Sequence, residues 1–384
     1  MINKHYKRYF VHMGRFFILG IILVFLLNLV IPDRGFSEKE NRVLASMPKF
    51  SISRILSGKN EKKFETYAND QFFARDFWVE LKANTDRLLG KVESNGVYLG
   101  KNGYLLEQFT PPKDKQLEAT TQALSSFAAR HTDIRQYALI APTAVNTLSE
   151  TLPGNAPAAD QNRYLNELGS SMTSAGIQWI DVRETLNSHK DTQLYYHTDH
   201  HWTTQAAYFS YLTAAKVMNL DTSVCTYEIL PATKTFQGTL SAKSGFRSSA
   251  VDEIDVFLPK NETTSPYVVN YLDDQFKSAS FYATEKLSTR DKYAMFFNGN
   301  HAQMSISNAG GDDRKLLVLK DSYANCFLPF LAPHYKTILV VDPRYYYGDL
   351  DSLIAAEEIT EILYLYNANT FFTDNSLEMA LASE

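Results

Sequence analysis

Asp199 and His201 stand two residues apart in the stretch Tyr195-Tyr-His-Thr-Asp-His-His-Trp-Thr-Thr-Gln-Ala-Ala-Tyr208, just ahead of a segment with helical periodicity. On a loop or strand end, alternate residues project the same way, so this carboxylate and imidazole can face one another. A carboxylate that holds an imidazole fixes its tautomer and stabilises the imidazolium formed when the ring accepts a proton. Such a pair serves a nucleophile, and the best-placed hydroxyl is Ser322, in Leu317-Val-Leu-Lys-Asp-Ser-Tyr-Ala-Asn325. The pattern assigns Ser322 as nucleophile, His201 as general base and Asp199 as its orienting partner. Ser322 follows an apolar strand and opens a helix, which exposes the hydroxyl at the carboxyl edge of a sheet beside free backbone N–H groups. Asp321 or Ser322 could equally do the ordinary work of capping that helix; the upstream Asp–His pair tips the reading toward chemistry.

A metal centre is the competing use of these residues. His197, His200, His201 and Asp199 are all suitable ligands for zinc or iron. Against it, the segment precedes its helix, the adjacent His200 and His201 are badly placed to share one ion, and no His-Glu-x-x-His occurs. Neither a metal nor a cofactor is expected. Trp202 reads as a packing residue that seats the loop.

The elements that must position these groups follow from hydrophobic pattern. Lys115–His131 and Gln161–Ala175 read as helices, Gln136–Ala141 and Gln178–Val182 as strands, and Thr203–Asn219 as a helix capped by Thr203 or Thr204. After Ser322 a short helix runs over Tyr323–Leu331, which Pro329 kinks or cuts. Lys315–Lys320, Lys336–Asp342 and Glu361–Tyr366 are apolar, β-branched strands fit for the inside of a parallel sheet. Alternating strands and helices imply an α/β fold. Residues 221–314 break this rhythm with short strands and turns and read as a β-rich insertion whose tyrosines are candidates for sugar contact. Phe64–Gly90 has helical spacing, and Asn95–Leu106 reads as a hairpin with an Asn-Gly turn.

Composition narrows the class. An apolar content of 45% and a charged content of 21% are those of a globular chain, and a net charge of −5 argues against a nucleic-acid partner. The two cysteines, Cys225 and Cys326, are too few for a disulfide framework and read as buried thiols. Residues 1–15 carry Lys4, Lys7, Arg8 and Arg15 with no acidic residue, ahead of the apolar run Phe16–Ile31. This flank predicts a cytoplasmic tail (1–15), an uncleaved signal anchor (16–32) and everything beyond it outside the cell membrane. The remainder divides into an extracytoplasmic lead-in (33–110) and a catalytic domain (111–384) carrying the insertion.

Asp199-His200-His201-Trp202 spells the name of the DHHW family, and the chain resembles that family and the alginate O-acetylation proteins of the SGNH-hydrolase superfamily. In those relatives Asp-x-His-Trp comes first and the serine later, the reverse of ordinary SGNH hydrolases. Two further stretches carry the resemblance: Ser37-Glu-Lys-Glu-Asn-Arg-Val-Leu-Ala-Ser-Met-Pro48 and Asp70-Gln-Phe-Phe-Ala-Arg75. It implies an SGNH-hydrolase-like (flavodoxin-like) parallel sheet with helices on both faces and a permuted motif order. It also implies O-acetylation of an exported polysaccharide through an acetyl-enzyme, with acetyl groups brought across the bilayer by a membrane-bound O-acyltransferase partner. The same triad would serve a polysaccharide acetylesterase, and a non-catalytic carbohydrate-binding or scaffold protein of an export complex is the reading from another class. One departure stands out: the superfamily's Gly-Asp-Ser is here Lys320-Asp321-Ser322. Superfamily members complete the oxyanion hole with a Gly and an Asn, for which Asn298-Gly299-Asn300 is the best match, although Asn-Gly also favours a plain β-turn. Tyr323, Asn325 and Arg344 are further oxyanion or substrate candidates.

Overall fold

The computed structural model describes residues 4–37, 42–49, 59–246, 250–260 and 266–382; Glu38–Asn41 of the post-anchor pattern lie outside them. The chain divides into two units, Met1–Lys91 with Ala242–Arg247, and Val92–Ser241 with Ser248–Glu384.

In the smaller unit all of the apolar run but Ile31 lies inside one helix, α1 (Lys4–Val30), the one helix among the described residues long and apolar enough to cross a membrane. Two short strands, β1 (Phe36–Ser37) and β2 (Arg42–Val43), pair antiparallel. The single helix expected over Phe64–Gly90 is instead two, α2 (Lys59–Gln71) and α3 (Arg75–Leu88). The break has a local cause. The Phe73 N–H donates to Asn28 Oδ1 at 2.8 Å rather than to a helical carbonyl, and Ala74 takes left-handed backbone angles, φ 52°, before α3 begins.

The larger unit starts with β3 (Glu93–Ser94), β4 (Val97–Leu99) and β5 (Leu105–Glu107), an antiparallel three-stranded sheet. Asn95 and Gly96 both have positive φ in its first turn, the pairing that a two-residue hairpin loop requires. Next come α4 (Asp114–Arg130), β6 (Arg135–Ala141), α5 (Gln161–Ser174), β7 (Gln178–Trp179) and α6 (Thr204–Met218). Thr203 caps α6, its hydroxyl accepting from the Ala206 N–H. An antiparallel ribbon of β8 (Tyr227–Phe236) and β9 (Asp252–Pro259) stands apart. Then β10 (Tyr267–Tyr271), β11 (Phe276–Ser278), β12 (Gln303–Asn308), β13 (Lys315–Lys320), β14 (Thr337–Val341) and β15 (Glu361–Asn367) build one eight-stranded sheet with β6 and β7, in the order β11-β10-β12-β14-β13-β15-β6-β7.

Five of these strands, β14-β13-β15-β6-β7, are parallel. Leu316, Leu317, Val318 and Leu319 of β13 are fully buried, as the continuous apolar pattern of an interior parallel strand demands. The other three strands run antiparallel, so the sheet is mixed rather than parallel throughout. The reason lies in residues 221–314. The loop between β10 and β11 is too short for a crossover and forces a hairpin. In β12, Met304, Ile306 and Asn308 alternate with less buried residues, the one-sided pattern of an antiparallel strand. Within the same stretch Thr239–Ser244 is helical rather than extended.

From β13 the chain runs to β14 on one side and returns to β15 on the other. The carboxyl end of β13 therefore opens between diverging connections, where α/β sheets place their ligands.

Candidate active site

Ser322 follows directly on β13. Asp321 ties that point down: its N–H donates to Leu365 O, its Oδ1 accepts from the Tyr323 N–H at 2.9 Å, and its Oδ2 accepts from the Asn367 N–H at 2.9 Å and from Asn367 Nδ2 at 2.5 Å. These bonds fasten the ends of β13 and β15 together under the serine. Ser322–Cys326 is a 3₁₀ turn, followed by a separate α-turn over Leu328–Leu331 with Pro329 in its first positions. The short helix expected over Tyr323–Leu331, with Pro329 kinking or cutting it, is cut just ahead of the proline, which fits the first turn of a helix but not its interior. What Ser322 gains is an open backbone turn rather than a long helix dipole. Among the described residues its own N–H has no partner.

The motif loop reaches this point from 121 residues upstream. It closes on itself through a bridge between Tyr195 and Trp202. Asp199 Oδ1 accepts from the His201 N–H at 3.0 Å and meets His201 Nδ1 at 2.5 Å. His201 Nε2 lies 2.8 Å from Ser322 Oγ. Asp199, His201 and Ser322 are therefore one hydrogen-bonded chain, with the first two buried and the serine half-buried. Two latches set the register between loop and serine turn: Trp202 Nε1 donates to Tyr323 O at 3.0 Å, and Tyr323 OH donates to His200 O at 2.5 Å. Trp202 packs as expected of a seating residue, while Tyr323 is buried with its hydroxyl committed to the loop.

Several supporting residues carry no signal in the sequence. The Thr239 N–H and hydroxyl donate to Asp199 Oδ2 at 2.8 and 3.1 Å. Beside them Gly238 passes so close that an added Cβ would overlap Asp199 Cβ and Oδ2 and lie 2.6 Å from its Cγ; any side chain there would have to push against the carboxylate. Tyr293 lies flat against His201, ring centroids 3.8 Å apart, and its hydroxyl donates to Ser322 O at 3.2 Å. Asp252, fully buried, accepts from the N–H groups of His197 and Thr198 at 2.8 and 2.9 Å, from Thr198 Oγ1 at 2.7 Å and from Gln193 Nε2 at 3.0 Å, with His197 Nδ1 also 3.0 Å away. One carboxylate thereby organises the first half of the motif loop. Tyr271 and Tyr293, two of the tyrosines considered as sugar contacts, are buried and belong to the scaffold.

Burial raises the Asp199 carboxyl, but the neighbouring imidazoles of His200 and His201 and the hydrogen bonds it accepts outweigh that effect and hold it well below the ordinary carboxylate range. His201 is pushed down to about 4, first by burial and then by His200, against the pull of Asp199. At neutral pH the ring is therefore an unprotonated acceptor beside an ionised carboxylate, as a general base requires.

The other candidate residues divide. Asn298 (φ 57°) and Gly299 (φ 97°) form a tight left-handed turn that brings Asn300 to Lys320. The Lys320 ammonium, 1% exposed, donates to Asn300 Oδ1 at 2.9 Å and to Asn325 Oδ1 at 2.8 Å. Asn325 Nδ2 donates to Asn300 Oδ1 at 3.1 Å, so the Asn325 amide is used internally. The Asn300 Oδ1 is thus held by two donors, and Asn300 itself is exposed. Arg344 makes a two-pronged ion pair with Asp342, Nε at 2.8 Å and Nη2 at 2.6 Å, and Asp342 Oδ2 is also 3.6 Å from Lys320 Nζ. Burial pulls the lysine down to about 8, with Asp342 acting the other way.

Asp199, His200 and His201 have ligand-type atoms within 4.8 Å of one another. Both His201 nitrogens already face partners, Asp199 and Ser322, so an ion could take His201 only by breaking the chain that links it to the serine. Cys225 and Cys326 are buried free thiols, and burial pushes Cys326 up to about 12.

The chain is similar to known proteins in sequence and in fold. The DHHW protein family profile matches residues 127–341, a span that holds Asp199, His201 and Ser322. The probable alginate O-acetylase AlgJ of Pseudomonas aeruginosa is 29% identical over 169 residues, 41% of this chain and 43% of that protein. The chain thus spans less than half the length of this curated relative. Among solved structures, a DHHW family protein from Eubacterium siraeum aligns with TM-score 0.65 at 20% identity, over 76% of this chain and 98% of its own. PatB1 of Bacillus cereus, solved with a sulfonyl adduct, aligns with TM-score 0.59 at 18% identity, over 73% and 98%. At these identities the likeness is one of fold.

Proposed function

The chain belongs to the DHHW protein family, and on that premise we propose that it is a membrane-anchored, extracytoplasmic O-acetyltransferase acting on an exported or cell-surface polysaccharide. The observation that carries the reading is the unbroken chain Asp199–His201–Ser322, with contacts of 2.5 and 2.8 Å. A partial match to a probable alginate O-acetylase points to the same chemistry. In this reading residues 16–32 anchor the chain with its N-terminus in the cytoplasm. Residues 33–110 form a lead-in, and residues 111–384 form an SGNH-like catalytic domain of permuted motif order with a β-rich insertion at about 221–314.

The reaction proceeds in two halves. Ser322 Oγ attacks the acetyl carbonyl of the donor while its proton passes to His201 Nε2, and Asp199 stabilises the imidazolium through Nδ1–H. The tetrahedral oxyanion is met by the free Ser322 N–H and by Asn300 Nδ2, each well-aimed donor contributing about 3 kcal/mol. Collapse expels the leaving group, which takes the proton back from His201 and leaves acetyl-Ser322. A sugar hydroxyl then gives its proton to His201, attacks the acetyl-serine, and departs as the acetate ester while Ser322 regains its proton. A membrane-bound O-acyltransferase is the proposed source of acetyl groups, because acetyl-CoA is a cytoplasmic donor.

The test uses the detergent-solubilised chain with p-nitrophenyl acetate as donor and a panel of oligosaccharides as acceptors. Nitrophenolate release that requires Ser322 and His201, with acetyl appearing on the sugar, is the expected result. Acetate alone across the panel would point to an esterase. Unchanged release by Ser322→Ala and His201→Ala would overturn the triad.

A further inference from the structure

Helices α2 and α3 carry an apolar surface that the reaction does not use. On α3, Ala83 is buried and Val79 half-buried, whereas Phe77, Trp78, Leu81 and Leu88 are 57, 42, 46 and 89% exposed. At 3.6 residues per turn these four lie within an arc of about 100°, the width of an apolar stripe that faces an apolar medium. Arg75, Lys82 and Asp86 fall outside that arc. The rings of Phe77 and Trp78 meet edge to face at 5.3 Å.

The fastening of this helix pair says what medium that is. Gln71, at the end of α2, accepts from the Arg34 N–H at 2.9 Å and donates to Arg34 O at 3.0 Å, and Tyr67 OH donates to Asp33 Oδ1 at 3.0 Å. The Phe73 N–H, in the turn before α3, donates to Asn28 Oδ1. Asn28 lies three residues inside the end of the Phe16–Ile31 run, a rise of about 4.5 Å. The turn between α2 and α3 is therefore pinned at the level where α1 leaves the hydrocarbon. Trp78 comes five residues later, at most about 7.5 Å further along the helix whatever its tilt. That is the depth at which tryptophan concentrates in membrane proteins.

We propose that α3 is an interfacial helix whose Phe77, Trp78, Leu81 and Leu88 bed into the outer lipid boundary of the membrane that α1 crosses. The occupant of the stripe is lipid rather than a protein partner, because the stripe begins at a turn hydrogen-bonded to the last turn of the lipid-facing span. The stripe runs the length of α3, so the helix lies flat. The chain then grips the membrane twice, by a span and by a surface helix. This inference rests on the reading of α1 as a membrane anchor.

The experiment uses the full chain reconstituted in phosphatidylcholine vesicles, with acyl chains brominated either near the headgroup or near the chain end. Trp78 is one of three tryptophans, so its emission is the difference between the wild type and Trp78→Phe. The expected result is a blue-shifted Trp78 signal that is lost with shallow bromines and retained with deep ones. Leu81→Glu with Leu88→Glu, both at exposed positions, should abolish that quenching while the chain stays in the vesicles. A Trp78 signal untouched by brominated lipid yet quenched by aqueous acrylamide would overturn the inference and leave the stripe for water or a protein. Chain that carbonate strips from the vesicles would overturn the anchor reading and this inference together. Chain that resists carbonate with Trp78 unquenched would overturn this inference alone.

Discussion

Replacing Gly238 by alanine tests the site without touching any residue that exchanges a proton. The new Cβ would overlap Asp199 Cβ and Oδ2 and stand 2.6 Å from its Cγ, where ordinary contact begins at 3.4 Å, so the two must part by more than 0.8 Å. The glycine cannot retreat freely. Its N–H donates to Thr198 Oγ1 at 2.9 Å, and the next residue holds Asp199 Oδ2 through the Thr239 N–H. Either the carboxylate moves off His201, or Thr239 lets go of the carboxylate. A displacement near 1 Å in a catalytic group costs about 10²-fold in rate, equivalent to about 2.7 kcal/mol of transition-state stabilisation. Overpacking costs a further 1–3 kcal/mol of stability, roughly, which a folded domain of ordinary stability survives. The assay is kcat and KM on p-nitrophenyl acetate, with circular dichroism to confirm the fold. The loss should fall on kcat, since Gly238 touches Asp199 and not the acyl donor. A folded Gly238→Ala enzyme within threefold of the wild type would refute the claim that Asp199 holds His201 in its working position.

Other outcomes follow from the same geometry. Asp199→Asn should lower kcat on the order of 10³–10⁴-fold by leaving His201 in the wrong tautomer, read in the same ester assay. Because His201 is pushed down to about 4, kcat/KM should hold as pH falls through 6 and 5 and drop only as pH passes through about 4; an acid limb near 6.5 would contradict the buried, neutral ring. In the same window the unfolded chain gains a proton at His201 that the folded chain does not, so stability should decline from 6.5 downward, measurable as a falling urea midpoint. Asp252→Ala strands several buried donors and should cost about 3–5 kcal/mol of unfolding free energy; Asp252→Asn, which keeps acceptor capacity, should cost less. Lys320→Met should lower kcat tenfold or more, roughly, at unchanged KM by releasing Asn300, and should cost about 1–3 kcal/mol of stability because the buried Asn325 Oδ1 loses its donor.

The sequence was most legible where the physics is local. The longer strands of the parallel core announce themselves as short apolar runs, and Asp199, His201 and Ser322 by residue type and by what they adjoin. Less legible was everything fixed by contact across the fold. The antiparallel strands β10–β12 have ordinary strand composition, and nothing in their residues says that β12 pairs with β14. The helix break at Ala74 depends on Asn28, 45 residues earlier, capturing the Phe73 N–H. Asp252 lies in an unremarkable strand start, and its role exists only because the backbone of His197 and Thr198 turns toward it. Gly238 reads as one more turn glycine until the Asp199 carboxylate is seen against it.

Lys320 shows how a departure from a familiar pattern can be absorbed into a site. A glycine before Asp-Ser brings no side chain to the end of the strand, whereas lysine brings an ammonium that must be satisfied or neutralised once buried. Here it is satisfied by the carbonyl oxygens of Asn300 and Asn325 at 2.9 and 2.8 Å and by Asp342 at 3.6 Å. Asp342 is in turn held by Arg344, and Asn325 belongs to the same turn as Ser322. The ammonium therefore joins the ends of β13 and β14 and the Asn298–Asn300 turn at a single point beneath the serine. Each of those segments has hydrogen bonds of its own, and the lysine adds the link between them; on the proposed reading Asn300 is an oxyanion donor, useful only if it is fixed before the charge develops. The lysine supplies that fixing from inside the protein, where the side chain costs no room in the cleft.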